Sequence, residues 1–224
     1  MSEHSTNQNK KRVLLVDDHP VLRKGLVRLI DSKNGFVVCG EAGSAKEAMA
    51  LMHELRPHLA IVDIGLPGAS GIELTKAIRT EFPSIPVLIL SMHEEALYAS
   101  RALRAGAVGY IVKQDAIDNI ATALQQTLRG QRYLSPGIAE QLQAEGSQDQ
   151  PRSSHDLVSL LTDRELEIFE LIGKGRDVRE MAQSLNVSPK TVETHRTNIK
   201  EKLKLKNSRE VARVALQWIT EHPT

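Results

Sequence analysis

The 224-residue sequence predicts two domains of different class, an α/β domain with a five-stranded parallel sheet and a smaller all-α domain. Two observations predict this division. Up to residue 130, short apolar segments alternate with amphipathic helical segments, which is the pattern of a doubly wound (βα)5 fold. Beyond residue 157 the chain has helix start signals but no strand pattern.

Composition narrows the class of protein. Apolar residues make up 41% of the chain and charged residues 25%, as in ordinary soluble globular proteins. The formal net charge is +1, so binding to nucleic acid would have to come from a local concentration of charge. The single Cys39 excludes an internal disulfide and fits a reducing compartment, and no apolar run approaches the roughly 18 residues of a membrane span. We therefore expect a cytoplasmic protein that does not enter a membrane.

The elements of the α/β domain follow from apolar runs and helix caps. The run before Asp63 is continuously apolar, as expected for a strand buried on both faces. Pro20 suits the first turn of a helix, and Ser44 with Glu47 forms a capping box. The predicted strands are residues 13–16, 36–41, 59–63, 86–91 and 108–113, and the predicted helices are residues 20–31, 45–55, 71–80, 94–104 and 116–129.

The second domain is predicted from its caps. Residues 135–142 suggest one more short helix, and residues 143–156 have the polar, Ser- and Gly-containing composition of a linker. Thr162, Asp177, Ser188 and Ser208 then open four helices that end near residues 173, 185, 203 and 220. The predicted divisions are a first domain at 12–130, a short helix and flexible linker at 131–157, and a helical domain at 158–221.

Polar residues stand where the predicted strands of the α/β domain end. Asp17 and Asp18 end the first strand, Asp63 the third, Ser91 the fourth and Lys113 the fifth. The carboxyl ends of parallel strands meet at one edge of the sheet, where such folds bind their ligands. Three clustered carboxylates repel one another unless a cation neutralises them, and ligands that are all oxygen favour Mg²⁺.

These residue types together suit transfer of a phosphoryl group. Asp63 would be the nucleophile, because a carboxylate can form an acyl phosphate. Lys113 offers a positive charge and Ser91 a hydroxyl donor to the phosphoryl oxygens. Each residue alone has an ordinary interpretation, since an acid at a strand end is commonly a turn residue or a helix cap and a lysine there is commonly solvated. The prediction depends on the whole set in this order.

At these residues the chain resembles the receiver domain of two-component response regulators, a flavodoxin-like fold, over residues 12 to about 130. The matching motifs are residues 15–19, 63–67, 91–93 and 110–113. The resemblance implies that Asp63 accepts phosphate from a sensor histidine kinase. It also implies that Asp18, Asp63 and the carbonyl of Gly65 hold Mg²⁺, with Asp17 helping through water, and that Ser91 and Tyr110 form a switch pair. Gly65 is a departure, because many relatives carry a polar side chain at this position.

The helical domain has the pattern of a helix-turn-helix. Residues 181–185 would form the supporting helix, residues 186–188 the turn, and the helix that starts at Pro189 the second helix. Between residues 190 and 213, basic residues outnumber acidic ones by eight to three. Such a surplus is usually just a solvated helix face, but after a capped helix-turn-helix it indicates a surface that faces phosphates.

Residues 161–165 and 188–195 closely resemble the LuxR-type DNA-binding domain, which with a receiver makes a response regulator of the NarL/FixJ type. The resemblance places the second helix in the major groove of DNA. Val192 and Ile199 are expected in the core. For the last helix, use in a dimer and use in the bundle core are equally open. Candidate base readers are Glu193, Thr194 and Thr197, candidate phosphate or base contacts are Lys190, Thr191, Arg196 and Lys200, and candidate dimer residues are Val211, Val214, Ala215 and Trp218.

The leading hypothesis is a transcription regulator switched by phosphorylation, and not an enzyme. Its expected partners are a sensor histidine kinase, double-stranded promoter DNA, a second copy of the chain and RNA polymerase. A phosphatase of the haloacid dehalogenase type is an alternative, but it needs a second acid where Gly65 stands. A nucleotide-binding flavodoxin-like domain is another, but it would need a glycine-rich loop after the first strand, where Asp17 and Asp18 stand.

Overall fold

A computed structural model describes residues 10–92, 96–146, 158 and 160–221. The chain divides into two compact units, Met1–Ala144 and Glu145–Thr224. We call them the receiver unit and the helical unit. Within the described ranges, no helix combines the length and apolar character needed to cross a bilayer.

The receiver unit is a parallel sheet of strand order β2-β1-β3-β4-β5-β6 with helices between the strands. The first strand lies second from one edge, so the chain runs from β1 to β2 on one side and then to the other strands on the opposite side, and the switch point lies between β1 and β3. The strands are β1 (Lys11–Val16), β2 (Phe36–Ala42), β3 (Leu59–Asp63), β4 (Val87–Ser91), β5 (Gly109–Val112) and β6 (Tyr133–Leu134). The helices are α1 (Pro20–Asp31), α2 (Ala45–Leu55), α3 (Gly71–Glu81), α4 (Ala96–Arg104), α5 (Lys113–Leu128) and α6 (Pro136–Gly146).

The parallel α/β fold is confirmed, but the prediction of five strands is wrong. A sixth strand, β6, pairs in parallel with β5 through Gly109 with Tyr133 and Tyr110 with Leu134. Two residues are too short to produce a recognisable alternation in the sequence. The strand forms because Tyr133 is buried in the sheet core and β5 has a free edge beside it.

Among the other boundaries that differ from those predicted, two bear on the site and on the linker. Lys113 begins α5 instead of ending β5, with Val112 as the N-cap residue. Helix α6 extends to Gly146 and so includes the first residues of the predicted linker. The rest of that linker and the first two residues predicted for α4 lie outside the described residues.

The core explains why these segments are strands. Every residue of β3 and β4 is buried, and so are Val13 to Val16 of β1, because helices cover both faces of a parallel sheet. Continuous apolar runs are therefore stable only as strands inside the sheet. The polar residue at which each run ends then lies at the same edge of the sheet.

The helical unit contains α7 (Asp163–Gly173), α8 (Val178–Ser184), α9 (Pro189–Lys202) and α10 (Ser208–Glu221). Side chains of Thr162, Asp177 and Ser188 cap the first three helices as predicted. The cap predicted at Ser208 is wrong by one residue. Ser208 lies inside α10, and the side chain of Asn207 accepts the N–H of Glu210.

We predict that Gly71→Ala lowers the free energy of unfolding by roughly 3 kcal/mol, because overpacking against backbone cannot relax. A Cβ atom on Gly71 would lie 1.9 Å from the carbonyl oxygen of Asp63. Urea unfolding followed by circular dichroism measures the effect.

Gly25→Ala is the matched control. Gly25 lies within α1 and a Cβ atom there would have no neighbour within 4 Å, so the change should raise the free energy of unfolding by about 0.5–1 kcal/mol. An unchanged urea midpoint for Gly71→Ala would contradict the close approach of α3 to β3.

Candidate functional site

The centre of the candidate site is an ion-paired triad at the carboxyl edge of the sheet. The Lys113 Nζ atom lies 2.8 Å from Oδ2 of Asp17 and 2.7 Å from Oδ2 of Asp63. The side chains of Asp17, Asp63 and Lys113 are at most 6% exposed. Three residues from the ends of β1 and β3 and the start of α5 thus converge, as their positions in the sequence predicted.

The sheet register places Ser91, one of the two proposed switch residues, at the same edge as this triad. Asp63 aligns with Leu90 and Ser91 aligns with Val112, so Ser91 ends its strand one residue further along the same edge. Ser91 and Tyr110 are both fully buried. The ring of Tyr110 is therefore already inside the protein and does not need to turn inward from solvent.

Gly65 lies exposed in the turn after β3. Its N–H donates a long hydrogen bond of 3.4 Å to Oδ1 of Asp63, so the turn curls back over the carboxylate. A Cβ atom on Gly65 would have no neighbour within 4 Å, so the turn beside the buried Asp63 carboxylate has no side chain that would exclude an incoming group.

Two contributors that sequence reasoning missed follow β1, His19 in the loop and Arg23 in the first turn of α1. The backbone N–H of His19 donates to Oδ1 of Asp17 at 2.7 Å, and its Nδ1 lies 2.7 Å from Oδ1 of Asp18. Arg23 donates through Nη1 to the carbonyl of Asp17 and through Nε to Oε2 of Glu41 at 3.1 Å. His19 could have been found by its position next to the acid pair, whereas the role of Arg23 depends on where β2 ends.

The acidic residues fit a hard divalent cation. Single ligand atoms from Asp17, Asp18, His19 and Asp63 lie within 4.8 Å of one another. Three of the four are carboxylate oxygens, which Mg²⁺ prefers. The donor set is therefore suited to Mg²⁺.

Burial and charge act against each other in this pocket. Burial raises the pKa of Asp63, and the Lys113 ammonium only partly offsets this effect while the neighbouring Asp17 adds to it. Burial would lower the pKa of Lys113, but Asp63 and Asp17 together raise it. Lys113 therefore stays protonated, and any group that brings positive charge to Asp63 favours its carboxylate form.

Helix α9 presents the predicted nucleic-acid face. Lys190, Glu193, Thr194 and Thr197 are exposed. Thr191, Arg196 and Lys200 are half-buried at the edge of this face, and the predicted core positions Val192 and Ile199 are confirmed, since both are fully buried.

Several polar groups on this face bond to one another. Arg196 Nη1 lies 3.0 Å from Oε1 of Glu193. The hydroxyls of Thr194 and Thr197 donate to the carbonyls of Lys190 and Glu193, each at 3.0 Å. The sequence had suggested Glu193 as an independent reader of bases, whereas the structure couples it to Arg196.

Two partly buried polar contacts hold α9 and α8 to α7. Lys202 Nζ donates to Oε2 of Glu165 at 2.6 Å, which also accepts the N–H of Thr162. Arg164 donates to the carbonyl of Leu185 at 2.7 Å, immediately before the turn of the helix-turn-helix. The turn and the recognition helix are therefore fixed to the first helix of the unit.

The four dimer candidates on α10 divide into two groups. Val211, Ala215 and Trp218 are buried in the chain itself, on a helix that packs against α7. Val214 is half-buried, and the neighbouring Leu216 is 55% exposed. Surface for a second copy is thus available near Val214 and Leu216.

Family models account for both units. Residues 13–125 match the response regulator receiver domain, and residues 159–215 match the bacterial regulatory proteins of the luxR family. The chain belongs to the two-component response regulators of the NarL/FixJ type.

Similar proteins match this response regulator over most of its length. The response regulator GacA of Pseudomonas aeruginosa is 34% identical over 92% of this chain and 95% of its own, and the response regulator UvrY of Escherichia coli K12 is 32% identical over 92% and 93%. The structure of RcsB from Salmonella enterica serovar Typhimurium, bound to a promoter in the presence of the phosphomimetic BeF3⁻, has a TM-score of 0.58 at 25% identity. It covers 92% of this chain and 98% of RcsB.

We predict that Lys202→Met destabilises the helical unit at pH 7 by about 1 kcal/mol and that this effect becomes smaller as the pH falls below 4.5. Burial would raise the pKa of Glu165, but hydrogen bonds from Lys202 and Thr162 hold it below its usual value of 4.5. A lowered carboxyl pKa gives stability that is present above pH 4.5 and lost as the pH falls through the folded-state value.

Urea unfolding followed by Trp218 fluorescence measures this effect, because Trp218 is the only tryptophan of the chain. Lys200→Met, which removes a neighbouring half-buried lysine of α9, is the control and should unfold like the wild type at both pH values. An equal loss of stability at pH 3 and pH 7 for Lys202→Met would refute the ion pair with Glu165.

Proposed function

We propose that this response regulator accepts a phosphoryl group on Asp63 from a sensor histidine kinase and, in that state, binds promoter DNA through α9 as a dimer. The observation that carries the proposal is the placement of Lys113 Nζ between the carboxylates of Asp17 and Asp63. A buried carboxylate beside a fixed ammonium and a second acid is suited to receive a phosphoryl group, whose charge needs nearby cations.

Transfer would form one bond and break another. A carboxylate oxygen of Asp63 attacks the phosphorus of a phosphohistidine, the P–O bond forms as the P–N bond breaks, and the imidazole leaves with the bonding electrons. Lys113 then pairs with a phosphoryl oxygen in place of a carboxylate oxygen, and the hydroxyl of Ser91 donates to another. The solvent-exposed turn at Gly65 leaves room for the donor histidine.

We assign a Mg²⁺ site to Asp17, Asp18, Asp63 and the Gly65 carbonyl. When bound, the ion would supply positive charge to the phosphoryl oxygens. Arg23 and His19 support this site from outside, because both bond to Asp17 and thereby fix the loop that carries the two acids.

For DNA, the proposal assigns phosphate and base contacts by charge and exposure on α9. Lys190, Thr191, Arg196 and Lys200 would contact phosphates or base edges, and Glu193, Thr194 and Thr197 would face bases in the major groove. RcsB, a structural relative, is bound to a promoter in its solved complex. A regulator at a promoter would in turn meet RNA polymerase, which we include as a candidate partner.

The proposal also covers organisation and location. The receiver domain would span residues 12–130, the linker 131–157 and the DNA-binding domain 158–221, in a cytoplasmic protein that meets DNA. Pairing would use α10 around Val214, with Val211, Ala215 and Trp218 supporting the helix from the core. We assign no dedicated enzymatic activity, because Gly65 stands where a phosphatase of this chemistry would need its second acid.

We predict that Asp63→Asn abolishes labelling by a small phosphodonor with Mg²⁺, because Asp63 lies between the acid pair Asp17 and Asp18 and the Lys113 ammonium. The full chain should add one phosphoryl group, and its affinity for DNA selected from a random pool should rise. Intact-mass spectrometry and DNA titration measure the two effects.

Two controls separate the roles of the acids. Asp18→Ala should lose labelling through loss of the metal, so excess Mg²⁺ should not restore it at normal affinity. Asp31→Asn, on an exposed residue at the end of α1, should label normally. Full labelling of Asp63→Asn would show that the acceptor is another residue.

We predict that changing Lys190 or Lys200 to Ala weakens binding to all DNA sequences and flattens the salt dependence by about one unit of slope per phosphate contact. Arg196→Ala should do the same. Thr197→Ala and Glu193→Ala should instead alter base preference, by roughly 1–3 kcal/mol for each lost specific contact.

Titrations with selected and scrambled duplexes at several salt concentrations distinguish the two effects. Glu201→Ala, on an exposed residue near the end of α9, is the control and should keep both affinity and base preference. If Thr197→Ala and Glu193→Ala weaken all duplexes equally, the assignment of base readers is wrong.

A further inference from the structure

The segment that leaves the receiver unit is bonded to the switch strand. Beyond the end of β6, Ser135 donates its N–H to the carbonyl of Tyr110 at 3.1 Å and accepts the N–H of Val112 on its hydroxyl at 3.0 Å. Ser135 is 1% exposed, so both bonds are shielded from water. Ser135 therefore continues the hydrogen bonding along the edge of β5 beyond the last residue of β6.

This contact supports Lys113. Val112 is the N-cap residue of α5 and directly precedes Lys113 in the chain. Val112 is 4% exposed, so without the Ser135 hydroxyl its N–H would be buried with no acceptor in this arrangement. Ser135 thus helps to fix the backbone from which Lys113 reaches Asp17 and Asp63.

The same segment is bonded to α4. Gln141, one and a half turns further along α6 than Ser135, accepts the N–H of Ala96 on Oε1 at 2.9 Å. Ala96 is the first residue of α4, where N–H groups lack intrahelical partners. Gln141 therefore caps α4 from a helix that follows 45 residues later in the chain.

The two anchors lie on one short, rigid piece of chain. Six residues separate Ser135 from Gln141, which corresponds to about 9 Å along a helix. A hydrogen bond tolerates only a few tenths of an ångström of lengthening before it weakens. If β5 and the start of α4 shift relative to each other, α6 cannot move with both of them. Either the Ser135 bonds to β5 or the Gln141 bond to Ala96 must then break.

We propose that Ser135 and Gln141 are positioning residues through which the pocket acts on α6 and so on the chain that leads to the DNA-binding unit. The inference rests on the proposed function, in which phosphate on Asp63 draws Ser91 and Lys113 toward it. Ser91 lies at the end of β4, just before α4, and Lys113 follows β5, so the two movements reach different anchors. The α6 segment then has two arrangements, one with both anchors and one with a single anchor, and phosphorylation selects between them.

Variants of the full chain test this coupling by two measurements, Asp63 labelling and the gain in DNA affinity on phosphorylation. The DNA probe is the duplex selected from a random pool. Gln141→Ala should label normally, while its phosphorylation-dependent gain in affinity changes at least fivefold from the wild-type value. Ser135→Ala should change the gain similarly and also slow labelling, because it loosens the backbone before Lys113. Gln141→Glu keeps the acceptor oxygen and should restore the wild-type gain.

Two controls remove comparable groups without touching the anchors. Glu140→Ala changes an exposed neighbour on α6, and Thr127→Val removes a buried hydroxyl near Gly109 that accepts no anchor bond. Both should keep the wild-type rate of labelling and gain. A wild-type gain in both Gln141→Ala and Ser135→Ala would overturn the inference.

Hydrogen exchange separates failure of the inference from failure of the proposed function. On phosphorylation, the amides of Ala96 or Val112 should change their protection together with the amides of α6. If α4 and β5 respond while α6 does not, the inference is wrong although the proposed function stands. If Asp63 is not labelled or the wild-type gain is absent, the proposed function fails. Hydrogen exchange in Gln141→Ala then still tests the bond between Gln141 and Ala96. Unchanged protection of the Ala96 amide in this variant would overturn the inference.

Discussion

The receiver unit depends on one buried ion-paired triad, Lys113 with Asp17 and Asp63. Neither acid is stable in a buried site without a positive partner, and the lysine is equally costly without them. The three residues come from positions 17, 63 and 113, so this contact requires β1, β3 and β5 to be in register. Any shift of one strand would leave a charge unpaired. The same contact that restricts the sheet also prepares a site where a doubly charged group can replace a carboxylate as the partner of the lysine.

Much of this arrangement could be predicted because the candidate site residues lie at the ends of recognisable strands. The apolar run from Leu59 to Val62 identified β3, and the position of Asp63 at the carboxyl edge followed from the direction of a parallel sheet. Helix caps were equally informative, since Ser188 followed by Pro189 placed the start of α9 to the residue. In both cases a local pattern fixed the geometry before any tertiary contact was known.

What could not be predicted depends on contacts between distant segments. The strand β6 has only two residues and exists because β5 offers an open edge. Asn207 caps α10 instead of Ser208 through a one-residue shift that propensity does not resolve. The interaction of Arg23 with Asp17 requires the end of β2 to be known, and that of Gln141 with α4 spans 45 residues. Apart from the local Asn207 cap, these features depend on contacts between separate elements, and none of them has a periodic signal in the sequence.

The threonines of α9 have a chemical consequence that follows from their hydroxyl protons. Thr194 and Thr197 both donate to helix carbonyls, so their outward-facing groups are lone pairs and methyl groups. The charged donors of the same face come only from lysine and arginine, and Arg196 already shares its protons with Glu193. On this face the lysines and Arg196 are therefore the charged donors, whereas Thr194 and Thr197 accept hydrogen bonds or offer a hydrocarbon surface. A base edge that contacts the two threonines in this state must offer a hydrogen-bond donor or a methyl group.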